Sequence, residues 1–189
     1  MSATVLIMPG SPALVPELAP ADEASARLLA AAREAARAHR GPVDIVTTLD
    51  EASYTAHTGS FHAWGAPHVT VGGGNYLGEL LARYVAGDRE YRETREHVEP
   101  LDPDALTIVV VDGPAGLTAR APLALQPGAQ ATHEGLERFI AGGALGGLEG
   151  GVDKQLLWRE LAQLTPKRAE LIASDATLGV GRYVGVWQW

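Results

Sequence analysis

The chain has 189 residues, 46% of them hydrophobic, which suits one compact unit with a sizeable core spanning 1–189 and leaves too little for two full domains. Its 15 Lys and Arg face 23 Asp and Glu, a formal net charge of −8, so no basic face is available to neutralise a phosphate backbone and nucleic acid is not an expected partner. Cysteine is absent, which removes disulfides, thiolate nucleophiles and Cys-ligated zinc or iron–sulfur sites.

No basic n-region precedes a long apolar segment, and no stretch approaches the roughly 18 apolar residues of a membrane span. The expectation is a soluble cytoplasmic protein with no membrane partner. Alanine is abundant and Lys154 and Lys167 are the only lysines, a composition that goes with high-GC genomes.

Thr4–Met8, "TVLIM", is an apolar, β-branched run stopped by Pro9, as a strand covered on both faces reads. The rigid loop "PGSPALVP" follows. Ala21–His39 places Leu28, Leu29, Ala32, Ala35 and Ala36 on one helical face, with Asp22 and Glu23 at its start and Gly41 past its end. Val43–Thr48 is a second strand, and strand, helix, strand at this spacing predicts a parallel pair with a right-handed crossover. His68–Val71 predicts a further strand and Tyr76–Ala86 a helix, joined by Gly72-Gly73-Gly74. Asp88–Pro103 is heavily charged without apolar periodicity and is expected to be a mobile surface excursion.

Thr107–Val111, "TIVVV", is again apolar on both faces and ends in the turn Asp112–Gly116. Thr132 suits the cap of a helix running to Gly142, Val152–Leu164 predicts another helix ended by Pro166, and "GVGRYVGVWQW" reads as a closing strand. Buried strands interleaved with helices predict an α/β fold, a three-layer α/β/α sandwich around a mostly parallel mixed sheet.

In such a sheet the functional crevice lies beyond the carboxyl ends of the strands, which selects the loops Pro9–Pro16, Leu49–Gly65 and Asp112–Gly116. "SYTAHTGSFHAWGAPH" is the densest polar chemistry. Together the three loops nominate His57, His62, Tyr54 and Asp112 as acid–base residues, and Gly10, Ser11, Ser60 and Trp64 as ligand contacts. Imidazoles five and six residues apart share no helical face, so a metal site would need the loop to wrap the ion with a carboxylate such as Asp50, Glu51 or Asp112 completing it. The bland alternative is surface or hydrogen-bonded histidines. Gly72-Gly73-Gly74 matches no Walker or dinucleotide pattern, which favours a strand-to-helix turn over an anion cradle. Ser11 lies in no G-x-S-x-G elbow. Trp64, Trp158, Trp187 and Trp189 are expected to pack in the core or at an interface.

In order along the chain, "IMPGSPALVPEL", "TGSFHAWGAP", "VVVDGPAG", "RAPLALQPGAQATHEGLERFIAGG" and "DATLGVGRYVGVW" resemble the class III extradiol dioxygenases of the protocatechuate 4,5-dioxygenase beta-subunit type, in particular their short, alanine-rich actinobacterial branch. The resemblance covers most of the chain. It implies a mixed sheet with helices on both faces. In active members it implies mononuclear non-haem iron held by two histidines and a glutamate, with a further histidine acting on the catechol or on dioxygen, a ligand set that leaves open positions for both.

On this alignment the two histidine ligands fall at Gly10 and near Leu49, and the catalytic histidine near Ala115. Glu149 lies in the region of the carboxylate, so any metal would rest on His62, His68 and Glu149. Glycine and leucine cannot ligate iron. The resemblance therefore implies a degenerate metal site with no cofactor, on a scaffold that binds a small molecule or a partner protein. The alternative is an enzyme with a rebuilt His-based site, metal-dependent or acid–base, in the same crevice. A third reading, as one protomer of a homo-oligomer, rests on Trp187-Gln188-Trp189 as an interface anchor.

Overall fold

The computed structural model describes residues 3–189. In chain order the elements are β1 (Thr4–Met8), α1 (Glu23–Arg37), β2 (Val43–Val46), β3 (Ser60–Phe61), β4 (Ala66–Thr70), α2 (Leu77–Ala86), β5 (Tyr91–Arg95), β6 (Leu106–Val110), α3 (Ala129–Ile140), α4 (Gln155–Leu161), β7 (Arg168–Asp175) and β8 (Arg182–Gln188). Six strands form one sheet in the order β5-β2-β6-β1-β8-β7. The first four run parallel, and β8 then pairs antiparallel with both β1 and β7.

Every residue of β1, β2 and β6 is buried, because helices cover both faces. Successive side chains alternate between them. Leu6 and Met8 join Leu28 and Leu29 of α1 and Leu80 and Leu81 of α2 on one side. Val5 and Ile7 join Leu136 and Phe139 of α3 and Leu157 and Trp158 of α4 on the other. This is the three-layer α/β/α sandwich of the sequence reading. At about 1.5–3 kcal/mol for each fully buried large apolar side chain, these two clusters supply the main drive to fold.

The crossover α1 begins where its side-chain cap dictates, Asp22 accepting the Ser25 amide at 3.1 Å. Other expectations are corrected. Asp88–Pro103 contains β5, the parallel edge strand, rather than a loop throughout. Charge replaces apolar periodicity there: Arg92 donates to the buried Asp44 through Nε at 2.9 Å and to Asp102 through Nη1 at 2.6 Å, and Arg95 lies 3.6 Å from Asp44. A charged edge strand also resists pairing with other chains.

β7, which went unpredicted, alternates between exposed and half-buried positions as an edge strand with one covered face does. The strand foreseen at His68–Val71 is β4, and it pairs with β3 in a separate hairpin outside the main sheet. The helix expected to start at Thr132 starts at Ala129, and Thr132 is an interior residue whose hydroxyl donates to the Gly147 carbonyl and accepts the Glu149 amide. α4 is shorter than foreseen, starting only after Lys154, which adopts a left-handed φ of 56°. Among the described residues no helix is long and apolar enough to cross a membrane.

Candidate functional site

The helices that follow β1 and β2 cover one face of the sheet, whereas those that follow β6 cover the other. The chain beyond β6 therefore leaves in the opposite direction from the chain beyond its two parallel neighbours, and loops that diverge this way open a crevice at the strands' carboxyl ends. The residues at that point are Gly10 after β1, Thr47 after β2 and Asp112 after β6.

Asp112 accepts the backbone N–H of Gly10 through Oδ1 at 3.1 Å, and its own carbonyl accepts the indole N–H of Trp158 at 3.0 Å. The residue as a whole is half-buried. Burial pushes its carboxyl above the ordinary aspartate range, and the Gly10 amide and the charges of Lys154 and Arg182 offset this only in part. Lys154 also acts on Asp50 after β2, so its ammonium bridges two of the three loops electrostatically. The left-handed turn that puts Lys154 at the head of α4 costs about 1–2 kcal/mol for a residue with a Cβ.

Behind the crevice, Arg182 opens β8 with only 1% of its side chain exposed. It donates to Asp175 at 2.5 Å, to Asp22 at 3.3 Å and to the Ser25 hydroxyl, tying β7, β8 and the start of α1 together. The neighbouring Tyr183 is fully buried, and its hydroxyl lies 2.7 Å from His133 Nδ1. His133 Nε2 in turn lies 3.6 Å from Glu137, which accepts from the Ser174 hydroxyl. The carboxylate favours the Nε2–H tautomer, so Nδ1 accepts from the phenol. This chain runs from the surface at Ser174 to the underside of the Asp112 turn, where a Cβ on Gly113 or Gly181 would stand 2.4 and 2.3 Å from the Tyr183 oxygen. Burial pushes the phenol pKa up, with Glu137 and Asp112 adding to it, so Tyr183 is held as a neutral donor.

The residues nominated from the sequence divide. Gly10 and Asp112 meet at the crevice. Ser11 is spent on its own turn, accepting the Ala13 amide at 3.2 Å as the cap of a 3-10 turn at Pro12–Leu14. Ser60 accepts the His62 amide at 3.1 Å, and Trp64 packs edge-on against the buried Phe61. His57 and His62 are exposed and stack on each other, centroids 4.0 Å apart and planes inclined by 15°. Tyr54 packs edge-on against Tyr76. The side-chain contacts of His57, His62 and Tyr54 are thus with each other and with Tyr76, while the Asp112 carboxyl contacts Gly10. At the turn after Gly72-Gly73-Gly74, Glu79 of the chain itself accepts the Asn75 amide at 3.0 Å.

The metal grouping of His62, His68 and Glu149 is corrected. Among the described residues no three His, Asp or Glu side chains converge as an ion requires. His62 stacks on His57, and Glu149 is exposed beside Gly128 ahead of α3. The residues present do not fit the iron centre that the resemblance implies for active members.

Lys154, Arg182, Tyr183 and His133 were missed as site residues. The available signals were the i, i+4 pair in "HEGLE" and an arginine and a tyrosine opening a strand whose next four residues are apolar or glycine. Compared with known proteins, the chain matches no family model and no curated protein.

Proposed function

We propose that this chain is a class III extradiol dioxygenase-like scaffold without an iron site, whose crevice at the ends of β1, β2 and β6 binds a small polar molecule through Asp112. The observation that carries this is the Gly10–Asp112 contact. It puts a carboxyl acceptor where the strand connections diverge, while on the resemblance the family's histidines fall at Gly10, near Leu49 and near Ala115. Arg182 is already paired with Asp22 and Asp175 behind the crevice, and the Asp112 carboxyl offers an acceptor to a hydroxyl or amine donor.

The test is calorimetric titration of chelator-treated protein with ferrous iron and with catechol. Catechol binding that weakens in Asp112→Asn, with no stabilisation by iron, supports the reading. A stoichiometric ferrous site that raises the melting temperature overturns it, as does an absence of catechol binding.

A second reading, an acid–base enzyme, is favoured by one observation: a carboxyl raised by burial beside an ammonium is a suitable proton carrier. Mass analysis of the incubated catechol separates the two. Unaltered catechol supports binding alone, and product above an enzyme-free control supports catalysis.

A further inference from the structure

A concavity of ≈ 450 Å³ whose lining does not include Asp112 lies between α1, α2 and the start of β5, lined by residues that include Arg33, Arg83, Arg89, Tyr84, Tyr91 and Asp88. Three arginines on one rim are unexpected in a chain of net charge −8. Like charges brought together repel, so the arrangement calls either for protein carboxylates or for a ligand.

The protein holds these guanidinium groups largely without neutralising them. Arg33 Cζ sits 4.7 Å from the centre of the Tyr84 ring, and Arg83 Cζ sits 4.2 Å from that of Tyr91. Arg89 donates to two backbone carbonyls, Ala36 at 3.1 Å and Gly41. A guanidinium stacked on a ring keeps its in-plane N–H edge for another acceptor. For Arg33 the one acceptor among the described residues is the Tyr84 carbonyl, at a long 3.4 Å. Arg83 has Glu79 at 3.5 Å, and its Nε is buried with no acceptor. The remaining carboxylate on the lining is the exposed Asp88, so positive charge is in excess.

Size narrows the ligand class. The volume falls within the roughly 300–1,000 Å³ of small-molecule sites and exceeds what one bare anion fills. We propose that this pocket binds a small organic oxyanion, a phosphate or carboxylate group carried on a compact body, with Arg33 and Arg83 supplying its charge-assisted hydrogen bonds and Arg89 the surrounding field. The site is separate from the Asp112 crevice and does not rest on the function proposed for it.

Phenyl phosphate and citrate serve as probes, with sodium chloride at matched ionic strength as the control, read by calorimetry and thermal unfolding. At least one organic anion is expected to bind and raise the melting temperature beyond the chloride control. Arg33→Gln and Arg83→Gln are each expected to weaken it on the order of tenfold. Preference for phenyl phosphate assigns a phosphate ester, and preference for citrate a polycarboxylate. Arg33→Gln carries the test should Arg83→Gln fail to fold, because Arg33 gives up only one long hydrogen bond within the protein. An equal shift with chloride, no binding of either probe, or affinity unchanged in Arg33→Gln overturns the proposal.

Discussion

The Gly10 amide donates to Asp112 across a sequence separation of 102 residues, clamping the loop after β1 to the turn after β6. Glycine leaves room for the clamp. A Cβ at Gly10 would stand 3.0 Å from Asp112 Oδ2, tighter than most such contacts. The carboxyl that accepts the bond is raised by burial, so the fold holds its proton more tightly than the unfolded chain does.

The sign of the resulting pH dependence follows. Below the unfolded value of about 3.8 the group is neutral in both states and adds no penalty. As pH rises through that value toward the raised folded one, the native state alone resists ionisation and stability falls. Asp112→Asn keeps an oxygen for the Gly10 amide and removes the charge. Its stability relative to the parent is expected to increase from pH 3.5 to pH 7, measured by urea denaturation at about those two pH values. A difference independent of pH would mean that Asp112 is not buried as a carboxyl.

Arg182 presents the opposite case. Burial raises Asp22 and Asp175, but hydrogen bonds from Ser25, Thr177 and Arg182 together with the arginine's charge outweigh it, and both carboxyls lie below their ordinary value. Their contribution is present above about pH 4 and is lost as pH falls through the lowered folded values. Arg182→Met leaves two largely buried carboxylates facing each other and is expected to cost about 3–5 kcal/mol at pH 7. The deficit should shrink toward pH 3 as the carboxyls protonate. Denaturant melts at both pH values check it, and a deficit that stays constant would remove the carboxylates from the explanation.

Tyr183→Phe deletes the partner of His133 Nδ1 in a buried setting and is expected to cost about 1–3 kcal/mol. A loss under about 0.5 kcal/mol, smaller than a typical net hydrogen bond, would show that the imidazole finds water instead.

Gly78 lies at the start of α2 where the helix crosses Thr47, and a Cβ there would fall 2.0 Å from the Thr47 hydroxyl oxygen. Gly78→Ala is expected to destabilise by about 1–3 kcal/mol despite the better helix propensity of alanine, because overpacking outweighs the roughly 1 kcal/mol gained. Thr47→Ala should recover part of that loss. Additive effects in the double variant would show that the two sites do not touch.

Much of the sheet was legible because burial on both faces imposes a composition. "TVLIM", "VDIVTT" and "TIVVV" are apolar runs ended by turn residues, and they became β1, β2 and β6 within two residues at either end. β5 was illegible for the converse reason: "YRETR" owes its place to Arg92 and Arg95 pairing with Asp44 on the neighbouring strand, a contact that leaves no local period. At the candidate site, position after a strand pointed to Gly10 and Asp112, which the structure brings into contact. Counting polar residues in one loop brought His57 and His62 together, and they do stack, but it could not say whether three ligands converge on an ion, because proximity in sequence says nothing about where ring nitrogens aim.

The sequence by itself determined the layers, the parallel direction of β1 and β2 and the absence of thiol chemistry, since each follows from local pattern or composition; the direct pairing expected of β1 and β2 is corrected, because β6 lies between them and hydrogen-bonds to both. Tertiary structure alone decided which groups share a site. Arg182 meets Asp22 across 160 residues, and Tyr183 meets His133 across 50. Such pairs form because β8 is inserted beside β1, bringing a buried charge and a buried phenol under turns from distant parts of the chain. The free energy of their burial depends on partners that no short window of sequence contains.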